Sequence, residues 1–182
     1  MIPQPAECLI LLKKFNVPPH IIEHSQVVHR VALSLYRALN REGEQLDPAL
    51  VEAGSLLHDI AKTDPLPTGE SHAQRGAALL QQLGYPEVAE IVRQHVILDH
   101  GFLPGPLSEA AVVHYADKRV KHTEVVTLTA RFHDLKERYG KNREAWSWLN
   151  DLERQVLHLE RCIFAKLSIT PETLSSLCRE EK

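Results

Sequence analysis

The chain has 182 residues, 43% of them hydrophobic and 25% charged, which is the ordinary balance of a globular protein and excludes a disordered or fibrous one. The formal net charge of -3 at pH 7 predicts no nucleic-acid polymer as a partner, because proteins that coat nucleic acids carry a clustered basic excess. The length suits one sizeable core, and we expect residues 1–182 to form a single domain.

The cysteines and the apolar segments predict the cellular location. The three cysteines lie far apart in sequence and form no CxxC pair, which disfavours a disulfide scaffold or a zinc ribbon and fits a reducing cytoplasm. The apolar stretch at residues 8–12 is too short to span a membrane, and no signal peptide follows Met1. We therefore expect a cytoplasmic protein that does not act at a membrane.

Apolar residues recur at spacings of three and four along nearly the whole chain, and alternation with a period of two is absent. The first pattern is typical of amphipathic helices and the second of strands, so the sequence predicts an all-α protein. In chain order, the predicted helices cover residues 5–15, 18–41, 48–62, 71–83, 86–95, 107–120, 124–138 and 142–166, followed by a short helix from residue 170.

Several helix ends carry specific signals. Asp47 precedes Pro48, a pairing that predicts an N-cap followed by the first helical residue. Ser71 and Gln74 have the spacing of a capping box at the next helix start. Gly84 follows that helix and can supply a left-handed C-terminal turn.

The last sixty or so residues, from about 123 to 182, differ from the rest. They are predicted to be long helices with exposed charge pairs and two tryptophans, Trp146 and Trp148. We interpret them as a helical cap that completes the core. The alternative is an oligomerisation surface, which would make the protein a homodimer.

Histidine occurs 11 times, and it is the common side chain that offers a neutral metal ligand. The strongest local signal is the segment Leu56–Lys62, an apolar helical run that ends in His58 and Asp59 just before a proline-rich stretch. Polar ligands at the end of an apolar stripe suit a metal ion at the rim of a core. A helix-end pair with ordinary hydrogen bonds is the alternative.

Two other segments place polar residues in apolar surroundings. His24 lies on the helix face that continues through Val28 and Leu35. Asp117 follows an apolar run, and a buried carboxylate needs a cation or hydrogen-bond donors. A divalent metal ion would be such a partner.

The order His24, then His58-Asp59, then Asp117 resembles the H...HD...D signature of the HD superfamily of metal-dependent phosphohydrolases. Residues 24–28 resemble the first helix of that family, Leu56–Lys62 is similar to its LLHDIGK motif, and residues 116–118 are similar to its terminal AD segment. The similarity covers about residues 20–120. It implies an HD-domain helical bundle with additional C-terminal helices.

The resemblance also implies a ligand set. His24, His58, Asp59 and Asp117 would bind one metal ion; His29 is a rival to His24, but it falls where the family has a small or variable residue. His72 and His95 match positions that supply second-metal ligands in dinuclear HD proteins. For His95 the nearby His100 remains an alternative ligand or a substrate contact.

Imidazole nitrogens and carboxylate oxygens suit iron, manganese, cobalt, nickel or zinc, and the sequence therefore predicts one or two such ions. A metal ion lowers the pKa of bound water and polarises a phosphoryl oxygen, so no serine or cysteine nucleophile is needed. We assign catalytic roles to His58, Asp59 and Lys62. The cations predicted to contact a phosphate group of the substrate are Lys62, Lys118, Arg119 and Arg75.

These observations predict a hydrolase of a phosphoester or phosphoanhydride bond in a small nucleotide or related phosphorylated metabolite. The small stand-alone bacterial HD proteins, including the HD-type dinucleoside polyphosphate hydrolases, are the most similar group. The alternative is a catalytically silent HD-fold module that senses a metal ion or a nucleotide. A helical adaptor with coincidental histidines is the third possibility.

Overall fold

A computed structural model describes residues 1–62, 71–99 and 106–176, and the all-α prediction is confirmed. The helices and strands of these residues, in chain order, are α1 (Pro5–Lys14), α2 (Pro19–Arg41), α3 (Pro48–Leu57), α4 (His72–Gln82), α5 (Pro86–Gln94), α6 (Glu109–Lys118), β1 (Val120–Lys121), β2 (Glu124–Val125), α7 (Leu128–Tyr139), α8 (Arg143–Phe164) and a 3₁₀ helix (Pro171–Thr173). No helix among the described residues is long and apolar enough to cross a membrane.

Two large apolar clusters form most of the core, and α3 contributes to both. A third, much smaller cluster joins α5 and α6. The larger cluster joins α2, α6 and α8 through residues such as Leu35, Tyr115 and Val156. The second cluster joins α1, α3, α4 and α5. Val51 of α3 belongs to the larger cluster, whereas Leu57 belongs to the second. Helix α3 therefore packs against both large parts of the core.

The helix predicted for residues 48–62 ends earlier, at Leu57. After it the backbone tightens into turns, with the amide of Ile60 donating to Leu57 O and that of Lys62 donating to Asp59 O, three residues back. These shorter bonds replace the α-helical pattern at the helix end. His58 and Asp59 consequently lie in a buried turn and not on a helix.

The helix starts follow the sequence signals with one exception. Asp47 caps α3, because its Oδ1 accepts from the amide of Ala49 at 2.8 Å, and Gly84 has a φ of 85° after α4, as predicted. Ser71 does occupy the N-cap of α4, but its side chain makes no capping hydrogen bond. The capping-box prediction for Ser71 and Gln74 is therefore wrong.

The sequence also missed a small antiparallel hairpin between α6 and α7. Val120 pairs with Val125, and Lys121 pairs with Glu124. His122 at the turn has a φ of 53°, a left-handed conformation that non-glycine residues adopt mainly in tight turns. Because this hairpin occupies residues 120–125, α7 begins at Leu128, four residues later than predicted.

The C-terminal helices complete the core, as one of the two interpretations proposed. Leu152, Val156, Leu159 and Ile163 on α8 are buried in the larger cluster. Their spacing of three and four residues gives one apolar face. The oligomerisation role stays a prediction.

Candidate metal centre

Six side chains from five segments of the chain converge in one cluster. They come from α2, from the turn after α3, from the start of α4, from the end of α5 and from α6. These residues are His24, His58, Asp59, His72, His95 and Asp117. All but His72 are buried.

The Asp59 carboxylate lies at the centre of this group. Its Oδ1 is 3.3 Å from Nε2 of His72 and 3.6 Å from Nε2 of His95. Its Oδ2 is 3.5 Å from Nε2 of His58 and accepts from Nζ of Lys62 at 2.8 Å. One carboxylate thus faces histidines from three parts of the chain.

Two groups of potential metal ligands share that carboxylate. The first comprises His24, His58 and Asp59, and the second comprises Asp59, His72 and His95; within each group the ligand atoms lie within 4.8 Å of one another. Nε2 of His72 and Nε2 of His95 are 3.0 Å apart. At that separation the two nitrogens share either a proton or a cation.

Asp117 faces the first group from the end of α6. Its Oδ1 is 3.1 Å from Nε2 of His24 and 3.7 Å from Nε2 of His58. Its Oδ2 accepts from Nζ of Lys118 at 2.6 Å. The lysine fixes the carboxylate so that the other oxygen points to the histidines.

Backbone carbonyls fix the orientation of three imidazoles. Nδ1 of His24 donates to His122 O at 2.8 Å, Nδ1 of His58 to Ser55 O at 2.7 Å, and Nδ1 of His95 to Val92 O at 2.6 Å. A carbonyl oxygen can only accept, so each Nδ1 carries a hydrogen and each Nε2 faces the carboxylates. A hydrogen bond from the second ring nitrogen to a carbonyl oxygen is typical of metal-binding histidines.

Two buried atoms in the cluster lack a partner. Nε2 of His58 and Oδ1 of Asp59 have no hydrogen bond within the parts of the chain that the structure describes. Buried polar atoms normally have partners, and both of these atoms can donate an electron pair to a cation. Imidazole nitrogens and carboxylate oxygens without thiolates suit a divalent transition metal, and the residues present therefore fit one.

The charges of the cluster are strongly coupled. Burial opposes ionisation of Asp59, but His58, His95 and Lys62 outweigh it and hold the pKa of Asp59 well below its usual range. For Asp117, burial is likewise outweighed by Lys118, His24 and His58, and its pKa is also well below the usual range. Both carboxylates are therefore ionised and able to bind a cation.

His72, the least buried residue of the cluster, has a lowered pKa. Burial lowers the pKa of His72 to about 4, although Asp59 opposes that shift. Near neutral pH the His72 ring is therefore uncharged. A neutral imidazole is the form that binds metal ions.

Comparison with known proteins agrees with this geometry, since the HD domain matches residues 21–128, more than half of the chain. The chain belongs to the HD domain family. HD domains bind divalent metals and are generally phosphohydrolases, so the family suggests a metal-dependent hydrolase.

Three relatives resemble the chain over about two thirds of its length. An uncharacterized protein of Methanocaldococcus jannaschii is 30% identical over 68% of this chain and 79% of its own. The tRNA (cytidine(56)-2'-O)-methyltransferase of Thermoplasma volcanium is 30% identical over 69% of this chain and 41% of its own length. The enzyme of the same name from Picrophilus torridus is 28% identical over 70% of this chain and 39% of its own length. The chain thus spans about two fifths of these methyltransferases. No solved structure gave a significant match.

A cavity of about 410 Å³ lies beside the cluster of this HD-domain protein. Its polar wall comes from the cluster and adjoining cations, and the other wall comes from α7 and α8, which follow the family match. The described lining residues are Asp59, Lys62, His72, His95, Val96, Asp117, Lys118, Arg131, Leu135, Tyr139, Ala145, Trp148, Leu149 and Leu152. Sequence reasoning treated the C-terminal helices as packing or an interface and missed this role, for which Trp148 was the available signal.

The four predicted phosphate contacts are placed differently. Lys62 and Lys118 line the cavity, whereas Arg75 on α4 is not among its described lining residues. Arg119 is 3% exposed, and its guanidinium donates to Val126 O, Pro171 O and the Tyr115 hydroxyl. These donors hold the hairpin and the 3₁₀ helix against α6, and Arg119 is not among the described lining residues of the cavity; its substrate role stays a prediction.

The alternative ligands can also be compared. Nδ1 of His29 is 3.1 Å from the Ser55 hydroxyl, and His29 belongs to neither ligand group. His100 lies outside the described residues. His114, assigned no role from sequence, is buried, and its Nδ1 donates to His95 O at 2.9 Å. That bond positions the end of α5 and with it the ring of His95.

Proposed function

We propose that this protein is a metal-dependent hydrolase that cleaves a phosphoester or phosphoanhydride bond in a small nucleotide or related phosphorylated metabolite. The observation that carries the proposal is the Asp59 carboxylate, which is shared by the His24–His58 group and the His72–His95 group at the wall of a cavity. Divalent ions bound there would supply a hydroxide at neutral pH and polarise a phosphoryl oxygen.

The residues of the chain have separate tasks in this proposal. His24, His58, Asp59 and Asp117 would hold one ion, and Asp59, His72 and His95 would hold a second. Lys118 keeps Asp117 oriented, since it is 5% exposed and bonds both Asp117 Oδ2 and His95 O.

Lys62 is suited to contact the substrate. Its side chain is 34% exposed and lines the cavity, while its Nζ also bonds Asp59. An ammonium group has three donors, so Lys62 can hold Asp59 and attract a phosphate oxygen at the same time. Its charge would stabilise negative charge that develops on the phosphoryl group.

The cavity favours a substrate with an organic part. Its volume, about 410 Å³, lies within the range of small-molecule sites. The part of its lining that α7 and α8 contribute includes Leu135, Tyr139, Trp148, Leu149 and Leu152. An apolar and aromatic wall favours a flat group such as a nucleobase.

The proposal is tested by turnover. Protein loaded with manganese is incubated with nucleoside mono-, di- and triphosphates and with dinucleoside polyphosphates, and released phosphate or nucleotide is measured. We expect hydrolysis that exhaustive chelation abolishes and that manganese restores. Activity that survives chelation contradicts the proposal.

Two variants and a control make this test specific. Asp59→Ala and His58→Ala should each lower turnover by at least about 10²-fold, more than the loss typical of residues that only support ligands, with helix content nearly unchanged by circular dichroism. His133→Ala is the control, because His133 has a side chain 76% exposed on α7. Stoichiometric metal binding without turnover of any substrate would indicate the sensing module instead.

A further inference from the structure

A second cavity, of about 280 Å³, adjoins the metal centre and shares four lining residues with the first cavity. Lys62, Arg131, Leu135 and Tyr139 line both cavities. The remaining described lining residues of the second cavity are His20, Ile21, His24, His122 and Arg138.

The two cavities reach different parts of the cluster. The first is lined by His72, His95 and Asp117, whereas the second is lined by His24. A substrate whose reacting phosphate lies at Asp59 could therefore extend one part into each cavity.

The second cavity is cationic. Its described lining residues include the permanent cations Lys62, Arg131 and Arg138 and no acidic residue. Asp134 is not among the described lining residues, but its Oδ2 is 3.4 Å from Nη1 of Arg131 and its Oδ1 is 3.0 Å from Nε of Arg138. It also bonds Lys121 at 3.1 Å, so one carboxylate is shared by three cations and the cavity keeps a positive excess.

Arg131 has unused donor capacity. Its side chain is 14% exposed, and its Nε is buried without a hydrogen-bond partner among residues 1–62, 71–99 and 106–176. A guanidinium has five donor hydrogens in a planar fork that matches the oxygens of a phosphate group. Burial of such a donor without a partner costs free energy, and the Arg131 side chain lines a cavity whose described lining contains no acidic residue.

We infer that the second cavity binds a second phosphate group of the substrate, held by Arg131 and Arg138. This inference rests on the proposed function and narrows it to substrates with two separate phosphate groups, one at the metal centre and one beside α7. The first cavity, with its apolar and aromatic residues from α7 and α8, is left for the organic part of the same molecule.

Binding measurements test the inference without relying on turnover. Manganese-loaded protein is titrated calorimetrically in the cold with adenosine 5′-monophosphate, adenosine 3′,5′-bisphosphate and adenosine 5′-diphosphate, so that two spacings of the phosphates are sampled; chromatography verifies that the ligands stay intact. We expect at least one of the two doubly phosphorylated ligands to bind about tenfold more tightly than the monophosphate, as one additional charge-assisted contact would provide.

Variants assign the extra affinity to the second cavity. Arg138→Ala and Arg131→Gln should each remove about tenfold of the affinity for the favoured ligand. Because Arg138 lines only the second cavity, Arg138→Ala should change the affinity for the monophosphate less than about twofold. Arg138 is 44% exposed along its side chain, so its replacement leaves the core intact even if Arg131→Gln destabilises the fold. Arg154→Ala is the control, because Arg154 on α8 is 79% exposed and pairs with Asp151.

The outcomes separate the two proposals. Equal affinity for all three ligands, or extra affinity that neither arginine variant reduces, overturns the inference even if the protein is a hydrolase. Extra affinity that both variants reduce supports the inference even if the panel of substrates shows no hydrolysis. If no ligand binds, the inference is also wrong.

Discussion

The Oδ1 atom of Asp59 lies 3.3 Å from Nε2 of His72. Asp59 precedes residues 63–70 in the sequence, and His72 follows them. This contact joins the histidine at the start of α4 to the carboxylate that also faces His58. It makes Asp59 the common member of two ligand groups, and it is the geometric basis for expecting two metal ions.

The first prediction concerns metal content. Wild-type protein loaded with iron or manganese should bind about two ions per chain, and His72→Ala or His95→Ala should lower that content to about one, because each removes a ligand of the second group only. His24→Ala should disturb the first group instead. Elemental analysis with His133→Ala as the control measures this. One ion per chain that neither His72→Ala nor His95→Ala changes would show that both histidines serve the substrate or the fold.

The second prediction separates the two lysines of the metal centre. Lys118→Met should lower metal affinity about 10- to 100-fold, because Lys118 holds Asp117 and His95 O and supporting partners of ligands contribute that much. Lys62→Ala should lower kcat/KM while metal affinity stays nearly unchanged, because Lys62 acts on the phosphate group and on the charge that develops there.

Metal titration and steady-state kinetics on both variants test this contrast. The control is Lys166→Met, since Lys166 bonds Glu44 and is 37% exposed along its side chain. The assignment of Lys118 fails if its variant keeps full metal affinity. The assignment of Lys62 fails if its variant has unchanged kinetics.

The third prediction uses the two tryptophans of α8 as a matched pair. Trp148 and Trp146 are 45% and 47% exposed, but only Trp148 lines the cavity beside the metal centre. Trp148→Ala should raise KM about tenfold, since an aromatic contact contributes roughly 0.5–1.5 kcal/mol beyond the area it buries, with metal content unchanged. Trp146→Ala should leave KM unchanged. Equal effects of the two substitutions would place the substrate elsewhere.

The fourth prediction concerns acid stability and His29. Burial, followed by the charges of Arg30 and Arg37, lowers the pKa of His29 to about 4 from an ordinary value of 6.5. The unfolded chain therefore binds this proton more tightly than the folded chain, and acidification favours unfolding. The stability that neutral His29 contributes is present above about pH 6.5 and is lost as the pH falls toward about 4.

Urea unfolding of metal-free protein across this range measures the effect. His29→Gln should reduce the pH dependence by at most about 1.4 kcal/mol per pH unit, the value for one proton. His133→Gln, at an exposed position, should retain the wild-type slope. A wild-type slope in His29→Gln would mean that His29 titrates normally in the folded protein.

The sequence by itself determined the helical class, most helix starts and the residues of the candidate ligand set. Apolar spacing of three and four residues predicts amphipathic helices because the helical repeat places those positions on one face. His24, His58, Asp59 and Asp117 were recognisable because their order and flanking residues resemble a known signature. These are local properties of the chain, and local properties can be read from the sequence.

Tertiary structure alone decided how those residues are arranged and what surrounds them. It made Asp59 common to two groups, placed His122 O behind the ring of His24, and left Arg119 inside the core. It also brought Arg131 and Trp148 from the C-terminal helices to the cavity. None of these contacts has a sequence period or a motif, because each depends on how distant helices pack, and packing is set by the combined shape of all the side chains in the core.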